Sequence, residues 1–145
     1  MNRATSPIDP GASIGHVHLR VADLERATAF YRDVLGFSVS HYSSAVFLGA
    51  GDHPHLIALS GGGSPPPPGH TGLHHFAIRL PDKGAVARAT QRLLDHGHPI
   101  DGAQDHAGSL SVYLRDPDGN GIELHYDRPA VELDEPLTER PLAVA

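Results

Sequence analysis

Between residues 14 and 21 the chain alternates, with His16, His18 and Arg20 on one face and Val17, Leu19 and Val21 on the other. That period of two predicts a strand with a polar working face. Asp23 then stands where an N-cap would, and Leu24, Ala27, Tyr31 and Val34 recur at helical spacing up to a stop at Gly36. Three shorter apolar runs follow at 37–41, 45–48 and 55–59, separated by Ser43-Ser44 and by the glycine- and proline-containing stretch 49–54. The first part of the chain is thus expected to be β-α-β-β-β.

The same order returns after a segment that can be neither helix nor strand interior, because it contains Gly61-Gly62-Gly63 and four consecutive prolines at 65–68. A strand is predicted over 73–80, a cap at Asp82, and a helix with Val86, Ala89, Leu93 and Leu94 on one side, ending near Gly97. Strands around 98–100, 110–115 and 122–126 complete the unit, the last two joined by the turn-rich run Asp116-Pro117-Asp118-Gly119-Asn120-Gly121. The expected fold is α+β: two tandem βαβββ modules forming a shared cleft or incomplete barrel, since units this short cannot each bury both faces of a sheet. The boundaries are a leader at 1–13, a single domain at 14–128 (module one 14–60, linker 61–72, module two 73–128) and an acidic, proline-rich tail at 129–145.

Composition narrows the chemistry. A length of 145 residues suits one core. The absence of cysteine excludes disulfides, thiolate metal sites and a cysteine nucleophile. A net charge of −6 without a basic cluster gives no footprint for nucleic acid. Residues 1–13 lack the pattern of a signal peptide and no stretch is long enough to span a bilayer, so a cytoplasmic protein without membrane partners is expected. Twelve histidines against the single lysine Lys83 point instead toward metal or proton chemistry.

Three strands each carry one candidate ligand: His16 opens module one, His75 opens module two, and Glu123 lies on the last strand of module two. Two neutral imidazoles and one carboxylate leave several coordination positions open, a set suited to non-haem Fe(II) and usable by Mn(II). Substrate and a second reactant can then bind together.

The run Ile14-Gly15-His16-Val17-His18-Leu19-Arg20-Val21, with Asp23-Leu24, Phe30-Tyr31 and Leu35-Gly36-Phe37, resembles the opening of a vicinal oxygen chelate protein, the superfamily of glyoxalases, bleomycin resistance proteins and dioxygenases. Leu73-His74-His75-Phe76-Ala77-Ile78 resembles the start of that family's second module, and residues 116–124 its ligand-bearing end. The resemblance covers nearly all of residues 14–128 and is nearest to the catalytic domain of type I extradiol, catechol 2,3-dioxygenase-like proteins. It implies that His16, His75 and Glu123 hold Fe(II), and that His55, His106 and Tyr113 are the catalytic residues handling protons and substrate oxygens. His125 departs from the family pattern, standing where an aromatic residue is expected.

The resemblance implies ring cleavage of a catechol-like compound by dioxygen, in a homodimer. Two further functions use the same scaffold. One is a non-redox glyoxalase-like or fosfomycin-resistance-like lyase, isomerase or transferase, which does not require the trio His55, His106 and Tyr113; the other is a non-catalytic small-molecule-binding member, which generally lacks the metal triad. His18 is expected in the pocket wall and His74 is expected to point away from His75. His41, His53, His70, His96, His98 and His125 carry no assigned role.

Overall fold

The computed structural model describes residues 6–106, 109–127 and 140–141. Module one contains β1 (Val17–Arg20), α1 (Leu24–Ala29) continuing into a π-helical turn (Phe30–Val34), β2 (Ser38–Tyr42), β3 (Ala45–Ala50) and β4 (His53–Ser60). Module two contains β5 (His75–Arg79), α2 (Lys83–Asp95), β6 (Gly102–His106), β7 (Ser109–Arg115) and β8 (Gly121–Asp127); a two-residue β9 (Arg140–Pro141) follows. The tandem βαβββ plan is therefore present, as two open sheets of order β1-β4-β3-β2 and β5-β8-β7-β6-β9 rather than a closed barrel. No helix among the described residues is long and apolar enough to cross a membrane. Of the expected tail, 129–145, only 140–141 falls within the described residues.

Both expected helix caps form. The Asp23 carboxylate accepts from the Arg26 amide at 3.0 Å and that of Asp82 from the Ala85 amide at 2.8 Å, each satisfying a first-turn donor that the helix cannot. Each helix covers one face of its sheet. Leu19, Val46, Leu48, Ile57 and Leu59 are buried on the first sheet with Ala27, Phe30 and Tyr31, and Leu110, Val112, Leu114, Ile122 and Leu124 on the second with Val86 and Leu93. Period-two alternation then puts the intervening residues on the opposite faces. His18, Ala58 and Phe47 align across the first sheet, and Ala77, Glu123 and Tyr113 across the second.

The modules are joined by polar contacts, of which the one from Tyr31 to Asp116 is buried. Tyr31 donates to Asp116 Oδ2 at 2.8 Å, while Oδ1 of Asp116 accepts from the Asp118 and Asn120 amides, both at 2.9 Å. Burial, reinforced by the Asp116 charge, pushes the Tyr31 phenol above its ordinary range and keeps it a donor. The π-helical turn holding Tyr31 closes through a Leu35 amide to Phe30 carbonyl bond of 3.2 Å. Arg92 of α2 completes the joint by donating to the Asp33 and Val34 carbonyls at 2.9 and 3.2 Å.

One strand differs from expectation. Residues 98–100 do not form it; β6 begins at Gly102 instead, paired antiparallel with β7. His98 is occupied elsewhere, its Nε2 donating to the Arg115 carbonyl at 2.8 Å and its ring lying 4.8 Å from that of Phe30.

Candidate functional site

On the second sheet, β5 runs parallel to β8, and Glu123 lies opposite Ala77 on one side and Tyr113 on the other. His75 faces Gly121, where a Cβ would come within 2.5 Å of the His74 carbonyl oxygen and 2.8 Å of the His75 Cβ. Only glycine allows this approach. It brings His75 Nε2 to 3.1 Å from Glu123 Oε2. The other oxygen, Oε1, accepts from the Ser111 hydroxyl at 2.6 Å and from the Tyr113 hydroxyl at 3.3 Å. His75 is oriented from behind, because its Nδ1 lies 2.8 Å from His74 Nδ1. This corrects the expectation that His74 points away: it precedes β5 rather than lying within it, so strand alternation does not govern its direction. His125, also on this face, directs Nε2 to Asp127 Oδ1 at 2.6 Å.

The first sheet carries a row of stacked rings. His55 lies between Phe47, at 3.9 Å and nearly parallel (7°), and His16, at 4.1 Å and 26°. Tyr42 extends the row, 5.8 Å beyond Phe47. The row takes one ring from each of β2, β3 and β4 and one from His16, which immediately precedes β1. A register change between Leu48 and Ala50 locally breaks the regular pairing of β3 with β4 ahead of His55. Gly49 permits it, since a Cβ there would lie 2.4 Å from the His53 carbonyl oxygen. The Nε2 of His55 is buried and has no hydrogen-bond partner among the described residues. Desolvation, followed by the neighbouring His16 and His18, holds this imidazole below its ordinary range and so neutral. His18 instead bonds Ser60 Oγ at 2.7 Å.

The donors of His75 and Glu123 fit a common metal ion: two adjacent ligands with bonds of about 2.1 Å at a right angle are roughly 3 Å apart, against the 3.1 Å found. The third expected ligand is not brought to them. His16 is engaged with His55, and among the described residues no three His, Asp or Glu side chains form a group able to hold a metal. Of the expected catalytic trio, Tyr113 lies beside Glu123, His55 lies beside His16, and the His106 side chain falls outside the described residues. Ser111 and Phe47 take part in the geometry without having been singled out in the sequence, where Gly121 is read only as a turn residue. A signal existed for Ser111 alone, whose place two residues before Tyr113 puts it on the same strand face.

Residues 13–124 match the family described as the Glyoxalase/Bleomycin resistance protein/Dioxygenase superfamily. The chain is 40% identical over 126 residues to a catechol-2,3-dioxygenase of Bacillus subtilis, an alignment covering 80% of this chain and 42% of that protein. It is 35% identical over 119 residues to biphenyl-2,3-diol 1,2-dioxygenase 3 of Rhodococcus globerulus, covering 79% of this chain and 63% of the relative. The chain thus spans less than two thirds of either relative. Among solved structures it is similar to a lactoylglutathione lyase from Agrobacterium tumefaciens, with a TM-score of 0.63 and 30% identity over 81% of this chain and 96% of that one.

Proposed function

Because the chain belongs to the Glyoxalase/Bleomycin resistance protein/Dioxygenase superfamily, we propose that it is an Fe(II)-dependent extradiol dioxygenase that opens the ring of a catechol-like aromatic with dioxygen. The likeness to the two dioxygenases described above supports the reading. The observation that carries it is His55, whose ring stacks on a candidate ligand and whose buried Nε2 has no hydrogen-bond partner among the described residues. Non-redox members of this scaffold have no need of such a group.

In this reading His16, His75 and Glu123 hold the iron, with Mn(II) as the other metal suited to the set. When bound, the metal supplies a template for two adjacent substrate oxygens and a path for electrons between ring and dioxygen. His55 accepts a substrate hydroxyl proton at Nε2 and returns it later, and Phe47, pressed on the far face of its ring, keeps water from that side. Tyr113 donates toward the carboxylate side of the site, and His106 serves the substrate oxygens.

The chain acts as a homodimer in which a second copy brings His16 toward His75 and Glu123. Three features support this. His16 is not grouped with the pair within one chain. The strands next to the histidine ligands, β1 and β5, are the outer strands of their sheets. Ile14 and Leu73, each two residues before a ligand histidine, are 86% and 57% exposed, apolar surface that a partner would cover.

The experiment is anaerobic loading with Fe(II), addition of catechol or 2,3-dihydroxybiphenyl, then admission of air while oxygen uptake and the yellow ring-opened product are recorded. Uptake with colour, abolished in His55→Ala and Glu123→Ala, is the expected result. The likeness to a lactoylglutathione lyase favours a second reading, a non-redox lyase or isomerase. Tight metal binding without oxygen uptake would select it.

A further inference from the structure

Ser111 is fully buried, on the polar face of a sheet whose other polar residues reach solvent in part. Its hydroxyl has one proton, and two acceptors compete for it. Glu123 Oε1 is 2.6 Å away and His125 Nδ1 is 3.4 Å away. The carboxylate can only accept and is far closer, so the proton goes to Glu123. Tyr113 adds a second, longer donation to the same oxygen at 3.3 Å. The other oxygen, Oε2, faces His75 Nε2 at 3.1 Å.

We infer that Ser111 is a positioning residue that commits Glu123 Oε1 to the protein and so makes Glu123 a one-oxygen metal donor. The inference rests on the metal-site reading above. Turning the carboxylate to offer both oxygens would strip a buried hydroxyl of its short bond, which desolvation makes costly. The consequence is chemical. With one oxygen from Glu123, a metal held also by His16 and His75 would keep places for two vicinal substrate oxygens and one further reactant, whereas a second glutamate oxygen would remove one of those places. Ser111 thereby sets how many exogenous groups the site accepts without touching any of them.

The test uses the full chain labelled with carbon isotope at glutamate, loaded with Mn(II), in three forms: wild type, Ser111→Ala and Ser111→Thr. Infrared difference spectra on metal binding report the separation of the asymmetric and symmetric carboxylate stretches, which is wide for one-oxygen and narrow for two-oxygen coordination. Calorimetry gives the affinity. Wild type and Ser111→Thr are expected to show the wide separation. Ser111→Ala is expected to narrow it and to bind Mn(II) about tenfold more weakly, the usual scale for losing a group that orients a ligand. If Ser111→Ala does not fold, Ser111→Cys, of similar size but a weak donor, carries the same expectation. A narrow separation in wild type, or an Ala variant matching wild type in both readouts, overturns the inference while leaving the metal site standing. A wild type that binds no Mn(II) overturns the metal-site reading and this inference with it.

Discussion

Replacing Tyr31 by phenylalanine removes one oxygen atom, and that atom is half of a buried hydrogen bond to Asp116 across the module boundary. Asp116 keeps its bonds from Asn120 and from two backbone amides, so the carboxylate is left underserved rather than abandoned. A hydrogen bond to a charged group of this kind contributes about 2 kcal/mol; urea denaturation of Tyr31→Phe is expected to show a loss of that size with an unchanged denaturant slope. In the sequence, Tyr31 was legible as a position on the apolar side of a helix. Its hydroxyl partner was not, because the two residues are 85 positions apart and spacing carries no information about contacts that only docking creates. The same holds for the His16–His55 stack and for the short bond from Ser111 to Glu123.

At the level of elements, the β5–β8 pair decides whether two ligands meet. Strands in one sheet lie about 4.8 Å apart, and at Gly121 that spacing leaves no room for a methyl group against the His74 carbonyl. Gly121→Ala is expected to push β5 away from β8 and to weaken Mn(II) binding by at least about tenfold, measured by calorimetry, with far-ultraviolet circular dichroism unchanged because the rest of the sheet is still paired. Helices were the most legible elements: their apolar spacing and capping aspartates are local signals, and both caps form. β6 was not legible. Gly102-Ala103-Gln104-Asp105-His106 has neither a long apolar run nor β-branched residues, and it is a strand because β7 offers it an edge to pair with. A local pattern fails when the partner supplies the reason for the structure.

For the molecule as a whole, the proposed homodimer has a direct test. His16→Ala and Glu123→Ala chains, each inactive alone, are mixed after unfolding and refolded together. If a second copy completes the site, mixed dimers contain one intact set of ligands, and random pairing restores about a quarter of wild-type oxygen uptake. A site completed within one chain gives no recovery. The sequence by itself determined the tandem βαβββ plan and both helix caps, because periodicity, capping and turn chemistry act over a few residues. Only the tertiary structure decided that His75 and Glu123 touch while His16 stacks on His55, that one oxygen of Glu123 is held by Ser111, and that Asp116 ties the two modules together. Those outcomes depend on register, close backbone approach and the packing of distant strands, which are properties of the assembled chain rather than of any stretch of it.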